Sequence, residues 1–173
     1  MKLIFHFHDT AIKGKASKAL REEIEVVRVV FESFLKKSPV FKKTQVIEAN
    51  LSLCGLQKIR KLNREFRAKD KVTDVLSFQL HENIRPDGKK MAGQIILELG
   101  DVIICREIAK KQAKEFQITY NQELLHLLIH GLLHLLGYDH EVSLKEEKIM
   151  FKHEEELVKK VYQKIGYKNG RVS

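Results

Sequence analysis

The stretch Leu124-Leu125-His126-Leu127-Leu128-Ile129-His130-Gly131-Leu132-Leu133-His134-Leu135-Leu136 decides how this chain is built. Apart from three histidines and one glycine, every side chain in it is Leu or Ile. A helix that is apolar all round is a buried element, not an amphipathic surface one, so the rest of the chain must wrap it. The run is too short to span a bilayer. Its imidazoles need partners in such a setting, because an unpaired buried polar group costs about 1–3 kcal/mol. A shared metal ion would satisfy several at once.

Reading on from this helix, the segment His130-Gly131-Leu132-Leu133-His134-Leu135-Leu136-Gly137-Tyr138-Asp139-His140 has metal-ligand spacing. His130 and His134 are four residues apart, one above the other on a helix. A pair alone is commonplace in a chain with 8 histidines, and the third at a fixed position makes the pattern specific. At about 100° per residue, His140 would stand roughly 80° off the face of the pair if the helix continued. Gly137 is placed to reverse the chain, because glycine at a helix end accepts the left-handed conformation. His140 can then return to the pair, giving three imidazoles and an open fourth position, the arrangement of a catalytic zinc site. The letters come close to the metzincin protease motif His-Glu-x-x-His-x-x-Gly-x-x-His, whose glutamate is the general base. Here that position is Gly131, which offers no group to take a proton, so a protease of that mechanism is disfavoured.

Upstream, Leu62-Asn63-Arg64-Glu65-Phe66-Arg67 through Asp74-Val75-Leu76-Ser77-Phe78 is strongly basic. Lys58, Arg60, Lys61, Arg64, Arg67, Lys69 and Lys71 crowd it, and most read as a solvated helix face. Arg67 stands apart because it ends a helix just before the strand entry at Thr73-Asp74. An arginine fork there could hold a phosphate in two hydrogen bonds.

The remainder supplies a scaffold. Lys2–His8 alternates Leu3, Phe5 and Phe7 as a strand with one buried face, with His6 and His8 on the other. Residues 17–35 carry apolar positions at helical spacing (Leu20, Ile24, Val27, Phe31, Phe34) and stop at Ser38-Pro39. Residues 44–53 form a strand. Leu56, Ile59, Leu62 and Phe66 make one face of a helix over 56–66. Strands follow at 75–80 and 94–99, joined through the turn signal Pro86-Asp87-Gly88. Residues 100–105 either extend the last strand or form a short one. Helices are expected over 107–116, 120–136 and 144–165. The fold class is α/β: a small mixed sheet of about four strands, packed helices and one central buried helix carrying the histidines. Strand order cannot be read, although the strand–helix alternation allows parallel pairing.

At 173 residues the chain is expected to be one domain over 1–165, with a polar basic tail over 166–173 that is poorly ordered. A chain of this size buries about 70% of its unfolded surface, so no metal is needed to complete the core. Lys+Arg 32 against Asp+Glu 23 gives a formal charge of +9, which favours polyanionic partners. Cys54 and Cys105 lie in apolar settings and lack ligand spacing, so they read as buried free thiols in a reducing compartment. The expected location is the cytoplasm, with no membrane partner.

Three blocks, Thr73-Asp74-Val75-Leu76-Ser77-Phe78, Gly100-Asp101-Val102-Ile103-Ile104 and His130-Gly131-x-x-His134-x-x-Gly137-x-Asp139-His140, occur in that order. Together they resemble the YbeY family of bacterial ribosome-maturation endoribonucleases. The resemblance implies an α/β fold and a zinc-dependent, single-strand-directed RNA endonuclease. It implies action at the small-subunit ribosomal RNA 3′ end and in ribosome quality control, with ribosome or small-subunit proteins as partners and no DNA. Carried over, one Zn2+ is held by His130, His134 and His140, and Arg67 is the arginine lining the same cleft.

In such a site, water acidified by the metal would attack phosphorus or deprotonate a ribose 2′-OH, while Arg67 offsets charge on the phosphate. His126, one turn before His130, would orient a ligand or move a proton as a second catalytic residue; otherwise it is a buried structural histidine. Asp139 reads as either a carboxylate orienting an imidazole or a turn residue. Two other classes fit parts of the pattern. A non-enzymatic ribosome assembly factor would use the basic surface with zinc as a brace, and a metal-dependent hydrolase of another substrate would use the protease-like spacing.

Overall fold

The computed structural model describes residues 1–9, 16–82, 84–88 and 95–168. Strand β1 (Lys2–Asp9) is followed by helix α1 (Lys18–Lys36), a single 3-10 turn (Pro39–Phe41), β2 (Val46–Cys54) and α2 (Leu56–Arg67). Then come β3 (Val75–Gln79), β4 (Ile96–Cys105), α3 (Arg106–Glu115), α4 (Tyr120–Leu135) and α5 (Leu144–Ile165). The strands form one mixed sheet in the order β1-β2-β4-β3. β1, β2 and β4 run parallel, and β3 pairs antiparallel to β4 at the edge. The expected α/β class and four-stranded sheet are those observed.

Local chemistry accounts for the elements. Leu3 is fully buried, with Phe5 and Phe7 packed on the same core. On the opposite face of β1, His6 Nε2 stands 3.3 Å from a Glu48 carboxylate oxygen. α1 starts where the Ser17 hydroxyl accepts from the Leu20 N–H at 3.1 Å and buries Leu20, Ile24, Val27, Val30, Phe31 and Leu35. α4 opens with a capping box, the Thr119 hydroxyl accepting from the Gln122 N–H and the Gln122 side chain accepting from the Thr119 N–H.

The segments 94–99 and 100–105 prove to be one strand, whose described part begins at Ile96; Gln94 lies outside the described residues. A bulge explains the ambiguity. Glu48 faces Glu98 but Asn50 faces Asp101, so Leu99 and Gly100 together oppose one residue of β2. The extra residue shifts the two-residue period by one. Leu97 and Leu99 face the main core before it, and Val102 and Ile104 face that core after it. Gly100 has φ +128°, and a Cβ there would lie 2.0 Å from the Phe78 carbonyl oxygen. Only glycine fits.

α4 packs on β3 and β4, with α1 and α5 against it, while α2 lies on β3 and β4 and touches α3. α2 sits over a separate small core of Cys54, Ile59, Leu62, Leu76 and Cys105. The expected face of α2 is only half right. Ile59 and Leu62 are buried, but Leu56 and Phe66 are exposed, because this core occupies only the middle of the helix. Cys54 and Cys105 are free and buried as expected, and they are register partners on adjacent strands. Burial pushes the Cys54 thiol up to about 12.

The tail departs from expectation at its start. Gly166, left-handed at φ +92°, caps α5. Tyr167 packs edge-on to Tyr162 at 5.4 Å between ring centroids and donates its hydroxyl to Glu23 at 2.8 Å. Residues 169–173 lie outside the described residues. No helix among the described residues is long and apolar enough to cross a membrane.

Candidate functional site

His130 and His134 lie one turn apart on α4 and meet edge to face, with ring centroids 4.7 Å apart. α4 ends at Leu135, and the reversal follows at Gly137, left-handed at φ +86°. There the Gly137 N–H donates to the His134 carbonyl at 2.9 Å and the Tyr138 N–H to the Leu133 carbonyl at 3.2 Å. Tyr138 is buried and anchors the turn. Asp139 accepts from the Glu141 N–H at 2.9 Å, a turn-stabilising bond of the Asx kind. The chain thereby returns His140 to within 5.4 Å of His130 and 5.3 Å of His134, centroid to centroid. The Phe151 ring of α5 stacks on His140 at 6.2 Å.

One ring nitrogen from each of the three histidines lies within 4.8 Å of the others. The His130 and His134 Nε2 atoms are 3.1 Å apart. Nitrogens about 2.0–2.1 Å from one tetrahedral zinc stand roughly 3.3 Å from each other, so the pair has the spacing a shared ion requires. Tautomer and charge agree. His130 Nδ1 is 2.9 Å from Glu154 Oε1. An ionised carboxylate only accepts, so it draws the proton to Nδ1 and leaves the Nε2 lone pair free. Burial, with His130 and His140 nearby, holds the His134 imidazole down to about 4. It is neutral at pH 7, as a ligand must be.

Glu154 is the functional residue that histidine spacing does not reveal. It projects from α5, 6% exposed, between His130 and His126, whose Nε2 is 3.5 Å from the same oxygen. A signal does exist. α5 buries Met150, Leu157, Val158 and Val161, and residue 154 falls on that stripe, so a carboxylate stands where an apolar side chain belongs. His126 does not line the cleft, and Asp139 spends one carboxylate oxygen on the turn.

The histidines open onto a cleft of about 740 Å³ whose walls include Arg67, Thr73, Asp74, Ser77 and Gln79. The structure thus brings Arg67, from the end of α2, to the same cleft as the triad. Asp74 is committed to neighbours. It accepts from Gln112 Nε2 at 2.8 Å, the Val75 N–H at 2.8 Å and the Thr73 hydroxyl at 3.1 Å. Burial raises its pKa, but these donors outweigh burial and hold it below the usual value. Gly131 lets α4 approach the sheet: a Cβ there would come within 2.6 Å of Val102 Cγ1 and 3.2 Å of Ser77 Oγ. A glutamate at this position, as in the metzincins, has no room.

The family model described as Endoribonuclease YbeY matches residues 11–162. Among curated proteins, the Endoribonuclease YbeY of Sulfurihydrogenibium sp. (strain YO3AOP1) is 44% identical over 119 residues, 69% of this chain and 70% of that one. That of Persephonella marina is 45% identical over 115 residues, 66% of this chain and 71% of the relative. The solution structure of TM1509 from Thermotoga maritima covers 98% of this chain and 97% of its own, with TM-score 0.61 and 28% identity. The family model spans most of the chain and the two curated relatives are 44% and 45% identical over about two thirds of it, so the chain belongs to the YbeY endoribonuclease family.

Proposed function

We propose that this protein is a zinc-dependent endoribonuclease that cuts single-stranded ribosomal RNA in the cytoplasm. Its action there is in maturation of the small-subunit RNA 3′ end and in ribosome quality control. The observation that carries the reading is the convergence of His130, His134, His140 and Arg67 on one cleft.

His130, His134 and His140 are the ligands, and three neutral imidazoles suit zinc. A metal ion held by these three histidines would supply Lewis-acid chemistry, polarising a phosphoryl oxygen and acidifying water toward neutral pH. Arg67, whose guanidinium is always charged, binds the scissile phosphate and offsets the negative charge that builds on it in the transition state. Glu154 fixes the tautomer and orientation of His130. His126 meets the same carboxylate and steadies it, which makes it an orienting residue. Asp74 is held by three donors and shapes the cleft without serving as a base. The absence of any side chain at Gly131 removes the proton acceptor on which the metzincin mechanism depends. Ribosomal and small-subunit proteins are the partners that this role requires.

The test is cleavage of a single-stranded ribosomal RNA fragment by highly purified protein, with His134→Ala and Arg67→Ala prepared identically and metal content measured on each. Wild type should cut. His134→Ala should lose metal and cutting together, and Arg67→Ala should keep metal while losing at least about a hundredfold in rate, the size of a lost charge-stabilising donor. Equal cutting by all three proteins would refute the assignment. So would a wild type that carries metal and binds RNA without cutting, which is the behaviour of an assembly factor with a structural ion.

A further inference from the structure

Phe66 is two-thirds exposed, next in sequence to Arg67, which lines the cleft. A lone exposed apolar residue needs no explanation, but this one is held in place. Its ring meets Phe78 of β3 at 5.2 Å between centroids and 62° between planes. The helix end beneath it is closed by Ala68 in the left-handed conformation, whose N–H bonds the Asn63 carbonyl. Buried Asn63 donates its side-chain amide to the Lys71 carbonyl at 2.8 Å, which pins the following loop.

The charge around the ring is uncommitted. Arg60 and Lys61 pair with Asp70 and Glu65 and Arg64 acts on the same Asp70, whereas Arg67, Lys69 and Lys71 form no ion pair among the described residues. β3 beside it is a sheet edge. Bonds from the Leu80 N–H to the Leu99 carbonyl and from the Cys105 N–H to the Asp74 carbonyl set the ladder parity. Val75, Ser77 and Gln79 therefore turn their main-chain groups away from β4; the Val75 N–H is taken by the Asp74 carboxylate, which leaves those of Ser77 and Gln79 at the open edge. A fixed aromatic face, free cations and unpaired edge donors make the set that holds an unpaired polynucleotide.

We infer that Phe66 is a stacking platform for the nucleobase adjoining the phosphate held by Arg67, and that it discriminates single strands from duplex. The inference rests on the endoribonuclease reading above. The two Cα atoms are about 3.8 Å apart, so the platform and the phosphate clamp address neighbouring parts of one strand. A base inside a duplex already has both faces stacked and cannot occupy Phe66.

The chain contains no tryptophan, so Phe66→Trp introduces a sole tryptophan at the platform, excited selectively over the tyrosines at the red edge of its absorption. Binding of a short single-stranded oligoribonucleotide, and of its abasic counterpart, is measured without divalent metal for wild type, Phe66→Ala and Phe66→Trp. Phe66→Ala should bind the base-bearing strand about tenfold more weakly and the abasic strand as wild type does. Phe66→Trp should bind like wild type, with emission quenched by the base-bearing strand and not by the abasic one. Undiminished binding by Phe66→Ala overturns the platform, as does Trp emission that saturating RNA leaves unmoved or that both strands quench equally. The Trp readout decides if Phe66→Ala does not fold. Cleavage is then scored with metal restored. A wild type that stacks RNA but never cuts it counts against the nuclease reading alone, and one that cuts while Phe66→Ala binds normally counts against the platform alone.

Discussion

At the scale of single residues, Glu154 shows how a site can depend on a group that its motif does not contain. The three histidines are legible because they share one short segment, and two of them share one helix face. Glu154 lies 24 positions beyond His130, on another helix, and local spacing says nothing about which residue α5 presents there. Its buried carboxylate contacts the His130 imidazole, and where such an imidazole holds a metal, second-sphere partners of this kind typically contribute 10- to 100-fold to its affinity. Glu154→Ala should weaken zinc binding by about that factor, and Glu154→Gln, whose amide oxygen still accepts, by less. Competition against a chromophoric chelator reads both, and equal affinities for all three proteins would remove Glu154 from the site.

At the scale of elements, the decisive contact is α4 against β3 and β4. Gly131 reads in the sequence only as the absence of a catalytic glutamate, whereas in the fold it lets the helix pass close against Val102 and Ser77 of the sheet. Gly131→Ala should therefore destabilise the protein by about 1–3 kcal/mol through overpacking against Val102, despite alanine's better helix propensity. Denaturant unfolding measures this, and a stabilised variant would show that the helix can lift freely. β4 illustrates the opposite limit of legibility. Its bulge at Gly100 breaks the alternation on which strand recognition depends, so one strand reads as two fragments. Strand order stays hidden because pairing partners are distant in sequence and leave no local period.

At the scale of the whole molecule, the sheet edge at β1 is fastened to α1 by an ionic cluster. Glu32 accepts from the Leu3 N–H at 2.9 Å and from Arg28 at 2.8 Å, and it also meets Lys36. Burial alone would raise its pKa, but these donors lower it from 4.5 to about 2. A depressed carboxylate stabilises the fold above its unfolded pKa and loses that contribution as pH falls through its folded value. Wild type should therefore melt higher than Glu32→Gln at neutral pH, with the gap closing between pH 4.5 and about 2. A gap independent of pH would assign the difference to packing.

The position of Glu154 in α5 also bears on the order in which the protein acquires its properties during synthesis. Translation delivers His130, His134 and His140 before the carboxylate that meets His130, and α5 follows all three. A nascent chain whose α5 is still inside the ribosome presents the three histidines without the Glu154 carboxylate on His130, so under the proposed function the translating ribosome would be shielded from a nuclease emerging beside its own RNA. Stalled nascent chains ending before and well beyond α5 would separate the cases: only the longer should take up zinc tightly while still tethered.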